Sequence, residues 1–131
     1  MTARDSAACP CGRGPSYVEC CGPLHEGGAA PTAERLMRSR YCAFVLGDAQ
    51  YLLDTWHPST KPTEMELDPA IEWRRLAIEG TVAGGPFDIA GEVTFTAIAR
   101  TPQGRFEQRE RSRFVKDQDG RWNYVDGDSL A

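Results

Sequence analysis

Cys9, Cys11, Cys20 and Cys21 form a C-x-C-x8-C-C array near the N-terminus, and the fifth cysteine, Cys42, stands apart. Four thiolates converging from a loop with few large apolar residues suit a tetrahedral Zn²⁺. The ion's binding energy then replaces the hydrophobic burial that the loop lacks. A disulfide framework fits poorly, because the count is odd and Cys20 and Cys21 are neighbours. The polar start, Met1-Thr2-Ala3-Arg4-Asp5, has no apolar core of a secretion leader, so a reducing, cytoplasmic setting is expected. Four thiolates leave no position for water, and the expected zinc is therefore structural. His25 is the alternative ligand. Arg13 and the amides around Gly12, Gly14 and Gly22 are expected to offset the negative charge of the sulfurs. Oxidation of the same thiols, with loss of the ion, is a competing redox-sensing role.

A second group of residues is placed to form a polar pocket: Arg38, Arg40, Tyr41, Asp54, Trp56, His57 and Asp126. An imidazole oriented by a carboxylate is a general-base pair, which His57 and Asp54 would supply across one helical turn. Each member also has an ordinary use. His57 precedes Pro58 at a helix exit, the arginines can brace loops through carboxylate forks, and Tyr41 and Trp56 suit a core with one polar tip satisfied. No Ser/His/Asp order, phosphate-cradling glycine loop or cofactor fingerprint is present, so no catalytic residue is assigned and an enzyme is not the leading expectation.

These groups need elements to hold them. The chain has 131 residues, enough for one domain and a small appended module. Its net charge of −4 argues against general nucleic-acid binding, and no apolar run approaches the length of a membrane span. Glu26-Gly27-Gly28-Ala29-Ala30-Pro31 reads as a linker, dividing a cysteine module at 1–26 from a domain at 32–131. Thr32 is a plausible N-cap with Glu34 in the first turn, followed by an apolar stripe of Ala33, Met37, Tyr41, Phe44 and Val45. Cys42 falls inside this helix as a small buried residue. Gly47 stops it, Asp48 caps a second helix through Trp56, and Pro58 marks the exit. Residues 63–67, between Pro62 and Pro69, suggest a single helical turn.

Beyond Ile71 the period becomes alternating. Leu76, Ile78 and Val82 share one strand face; Val93, Phe95, Ala97 and Ala99 share another. Turns at 101–104 and 117–120 set off a third strand, Arg105 to Lys116, and a fourth, Arg121 to Asp126. The third strand does not sort into an apolar and a polar face. A bulge, a polar pocket wall, or an outer face laced with Glu–Arg pairs would each explain it. Helices followed by antiparallel strands give α+β: a curved sheet with helices on one side.

The cysteine segment from Cys9 to Gly22 resembles the SEC-C zinc-binding motif, without the lysines such motifs usually carry between the second and third cysteines. With Leu36–Val45, Tyr51–Ser59 and Glu110–Phe114, nearly the whole chain resembles the bacterial YchJ family. The resemblance implies one zinc knuckle followed by a nuclear-transport-factor-2-like (cystatin-like) cone, and it implies little about activity. The expected role is a zinc-stabilised interaction module with a protein partner. The alternatives are a small-molecule or enzymatic pocket centred on His57, and a thiol redox sensor. A homodimer through the open sheet is compatible with this fold class; nucleic acid and membrane are not expected partners.

Overall fold

The computed structural model describes residues 7–130, so the polar stretch Met1–Asp5 lies outside it. The elements are α1 (Cys21–His25), α2 (Ala33–Leu46), α3 (Ala49–Asp54), β1 (Glu72–Ala83), β2 (Ala90–Thr101), β3 (Gly104–Lys116) and β4 (Trp122–Ser129). A 3-10 turn, Tyr17–Glu19, precedes α1.

The helix signals act where the sequence puts them. Thr32 Oγ1 accepts from the Arg35 amide at 3.1 Å, satisfying one of the donors that a helix start leaves free. Gly47 ends α2 in the left-handed region, at φ 75°, and Asp48 Oδ1 caps α3 through the Tyr51 amide at 3.0 Å. The single turn expected at 63–67 is absent, and residues 61–71 contain no helix. Between two prolines the stretch is too short to repay helix nucleation. The chain leaving α3 lies instead along β4. His57 N donates to Tyr124 O at 2.8 Å, and Tyr124 N donates to Thr55 O at 2.9 Å.

The four strands form an antiparallel meander in the order β1-β2-β3-β4. In β2 the buried face carries Gly91, Val93, Phe95, Ala97 and Ala99. Register shifts in β1 at Trp73/Arg75 and Ile78/Gly80, and in β4 at Val125 opposite Arg113/Phe114, bend the sheet. At the β1–β2 connection the backbones touch: a Cβ on Gly91 would lie 2.4 Å from Gly84 Cα, so only glycine fits.

Two of the three explanations offered for β3 hold together. Gln108, Glu110 and Ser112 face inward and line a cavity. Arg109, Arg111 and Arg113 face outward and pair with Glu79, Glu92, Asp126 and Asp128. The third, a bulge in β3, does not hold: the shift opposite Arg113/Phe114 falls in β4, where Val125 is the extra residue.

One core serves the whole molecule. The four knuckle cysteines are buried in the same cluster as Leu36, Met37, Tyr41, Cys42, Phe95, Phe114 and Trp122. Among the described residues no helix is long and apolar enough to cross a membrane.

Candidate functional site

The knuckle begins as a tight reversal. Cys9 N donates to Pro15 O at 3.0 Å and Gly12 N to Cys9 O at 3.1 Å, which turns Cys9 and Cys11 toward the start of α1. There Cys20 and Cys21 follow directly, with Gly22 packed so closely on Tyr17 that a Cβ would lie 2.8 Å from its carbonyl oxygen. The four sulfurs all lie within 4.8 Å of one another, in residues at most 3% exposed. Cys11 and Cys20 are 3.6 Å apart, and Cys20 and Cys21 4.0 Å. A Zn–S bond of about 2.3 Å gives a tetrahedron edge of about 3.8 Å, so the thiols are spaced as zinc ligands are. They are far too distant for disulfide bonds, which need about 2.05 Å.

The crowded sulfurs differ in how readily each gives up its proton. Hydrogen bonds from Cys11, Cys21 and Cys42 hold the Cys9 thiol far below its ordinary range. Cys21 is pushed far above it, first by its contact with the Cys11 sulfur and then by those with Cys42 and Cys9. Arg13 supplies positive charge, donating from Nε to Cys20 Sγ at 3.3 Å. Of the amides expected around Gly12, Gly14 and Gly22, those of Cys11 and Arg13, on either side of Gly12, favour thiolate on Cys9 and Cys11 respectively.

His25, the alternative ligand, has both ring nitrogens engaged elsewhere. Nδ1 meets Tyr17 Oη at 2.7 Å and Nε2 meets Ser39 O at 2.8 Å. A carbonyl only accepts, so Nε2 carries the proton and Tyr17 donates to Nδ1. The histidine therefore bolts the knuckle to α2. Arg38 acts similarly, donating from Nη1 to Cys11 O at 2.8 Å while Nε pairs with Glu34 at 3.0 Å. Arg35 reaches Cys20 O at 3.3 Å.

A cavity of about 120 Å³ opens between α2 and the inner face of the sheet. Arg40, Tyr41 and Trp56 of the sequence-level pocket line it, together with Phe44, Trp73, Phe95 and Tyr124. Arg40 is 4% exposed. Its Nη1 donates to Leu52 O at 2.8 Å and to Thr55 Oγ1 at 2.7 Å, and its guanidinium lies against the Trp56 and Tyr124 rings. Burial pulls Arg40 down to about 10, which leaves it charged at neutral pH. Burial also pushes the Tyr41 and Tyr124 phenols up to about 12.

The remaining members of that set lie elsewhere. Asp54 Oδ1 accepts from Gln50 Nε2 at 2.8 Å, and His57 Nδ1 faces Ser59 Oγ at 2.8 Å, so no Asp54–His57 pair forms. Pro58 carries the chain away from α3 before the imidazole can turn back toward it. Asp126 sits on the outer face, bound to Arg113 Nε at 2.6 Å. The cavity is thus centred on Arg40 rather than on His57.

Comparison with known proteins agrees with this architecture. Residues 32–127 match the family model described as YchJ, middle NTF2-like domain. The chain belongs to the YchJ-like family. A UPF0225 protein of Streptomyces coelicolor is 54% identical over 123 residues, spanning 93% of this chain and 95% of that protein. A UPF0225 protein of Corynebacterium efficiens is 51% identical, spanning 92% of each. The solution structure of a SEC-C motif containing protein from Rhodopseudomonas palustris superposes with a TM-score of 0.79 at 32% identity, covering 94% of this chain and 98% of that one.

In this YchJ-like chain, sequence reasoning offered the face of β3 carrying Glu110 and Ser112 as a pocket wall without joining it to the Arg40 group. It missed Tyr124 as a cavity residue and the approach of Cys42 to the knuckle. The signal for Glu110 and Ser112 was the polar inner row of β3. Cys42 carried no local signal.

Proposed function

We propose that this YchJ-like chain is a zinc-stabilised binding module, in which the metal braces the wall of a cone that receives a ligand. The supporting observation is the double duty of α2. One side sets Cys42 Sγ 3.9 Å from Cys9 Sγ, while Arg40, Tyr41 and Phe44 of the same helix line the cavity. An all-thiolate set suits Zn²⁺ and leaves no site for substrate or water, so the ion's contribution is rigidity. Cys9, Cys11, Cys20 and Cys21 would hold it. Buried sulfurs are poorly reached by oxidants, which weighs against redox sensing as the primary role.

The test is elemental analysis of freshly purified protein, with thermal unfolding before and after chelation. One zinc per chain and a large loss of stability on removal are expected. Metal-free protein that unfolds at the same temperature would dismiss the bracing role.

A protein partner is the second reading, supported by a different feature. Phe87 and Ile89, in the β1–β2 connection, are 98% and 78% exposed. Large apolar side chains so placed suit an apolar cleft on another protein. Partners cross-linked in cells to wild type but missing from Phe87→Ser/Ile89→Ser would support it; an identical set would dismiss it.

A further inference from the structure

Arg40 is a buried cation that forms no salt bridge, and Glu110 acts on it only from beyond ion-pair distance. Among the described residues no carboxylate lies within ion-pair distance of it. Glu110 shares the cavity, but its Oε2 accepts from Ser112 Oγ at 2.6 Å. The two hydrogen bonds that Arg40 does make both leave from Nη1, toward Leu52 O and Thr55 Oγ1. Nε and Nη2 meet no acceptor among the described residues, yet neither is sealed from space as an orphaned buried donor. That free edge is the fork on which a guanidinium binds a carboxylate with two parallel bonds. Burying a charge without a partner is costly, so a side chain held this way is poised for an anion.

The walls describe the rest of the occupant. Tyr41, Phe44, Trp56, Trp73, Phe95 and Tyr124 supply aromatic surface. The cavity, about 120 Å³ and partly open, is close to the roughly 150 Å³ known to accept benzene, so its scale is that of one ring. Only one arginine lines it, and Glu110 adds negative charge nearby, which disfavours dianions such as phosphate esters.

We propose that the cone cavity binds a small aromatic monocarboxylate, its ring between the aromatic walls and its carboxylate on the Nε–Nη2 edge of Arg40. This rests on the reading of the cone as a ligand site. Trp56 and Trp73 line the cavity, so occupancy changes intrinsic fluorescence.

The probes are benzoate, benzyl alcohol and inorganic phosphate, titrated against the full, metal-loaded chain and followed by fluorescence and thermal shift. Benzoate should bind saturably and raise the melting temperature with concentration. Benzyl alcohol should bind at least tenfold more weakly, and phosphate should do neither. Ala97→Leu, which fills the cavity from β2 and leaves Arg40 intact, should abolish both aromatic signals. Arg40→Lys should erase the preference for benzoate. Equal binding of benzoate and benzyl alcohol would overturn the carboxylate assignment while leaving the cavity reading in place. No binding of either to wild type, or binding untouched by Ala97→Leu, would overturn the cavity reading itself. The comparison of probes on wild-type protein decides the matter even if a variant fails to fold.

Discussion

Cys42 Sγ, in the middle of α2, lies 3.9 Å from Cys9 Sγ in the knuckle. The contact makes the N-terminal segment part of the domain's interior. The sequence reading of a module at 1–26 followed by a linker suggests an appendage that can be removed without harm. Burial of all five cysteines in one molecule-wide core implies the opposite. Deleting residues 1–26 is expected to uncover Leu36, Met37 and Cys42 and to remove Leu24, itself worth about 1.5–3 kcal/mol when buried. The truncated protein should lose its cooperative thermal transition. An unchanged melting temperature by circular dichroism would contradict this.

Cys42 and Cys20 should respond differently to the same substitution. Cys20→Ser removes a thiolate from the group of four sulfurs, so zinc content should fall to near zero. Cys42→Ser should keep one zinc per chain while costing about 1–3 kcal/mol, the penalty of a buried hydroxyl lacking a good partner. Metal analysis and urea unfolding of the two variants check the contrast.

His25 joins Tyr17 to the Ser39 carbonyl, and neither bond involves a sulfur. His25→Ala should therefore retain the metal and lose about 1–3 kcal/mol, the sum of two modest hydrogen bonds. A large drop in zinc stoichiometry would restore the histidine as a ligand.

Gly91→Ala places a methyl group where Gly84 Cα lies 2.4 Å away. Relief requires the ends of β1 and β2 to separate, so a loss of about 1–3 kcal/mol is expected, typical of overpacking. Gly104, with open space around its Cβ position, serves as a control for packing; its φ of 114° still makes a side chain there strained.

Alkaline pH should destabilise the fold through its buried phenols. Tyr41 and Tyr124 are raised to about 12, by burial first, against an ordinary value of 10.0. A phenol raised in the folded state contributes stability that is complete below pH 10 and is lost as pH climbs toward 12. Unfolding monitored by tryptophan fluorescence should thus ease progressively across that window. Phenolate absorbance should lag behind that of free tyrosine until the chain opens.

Much of the local architecture was readable because its causes are local. Thr32, Gly47 and Asp48 act on backbone groups within a few residues, and β2 alternates cleanly because one of its faces is buried. The cysteine array was readable for the same reason, since four sulfurs on so short a loop have few other places to go. Residues 63–67 misled, because helical residue types between two prolines look like a turn of helix that has nothing to extend it.

The pocket was not readable in that way. Arg38, Arg40 and Tyr41 are near neighbours on one helix, yet Arg38 turns to the knuckle and the other two turn to the cone. Helical geometry separates them by face, but only the packing of α2 between two structures decides what each face meets. Glu110 and Ser112 reach the cavity through the pairing of β3 with β2 and β4. His57 and Asp54 never meet, because the chain leaving α3 hydrogen-bonds to Tyr124 of β4. By itself the sequence determined both ends of α2, the start of α3, the alternation of β2 and the identity of the four clustered thiols, all set by forces acting over a few residues. Tertiary structure alone decided that Cys42 would abut the knuckle and that Arg40 would be buried without a salt bridge. Both depend on how distant elements pack, and their residue types are equally at home on a helix surface or in a core.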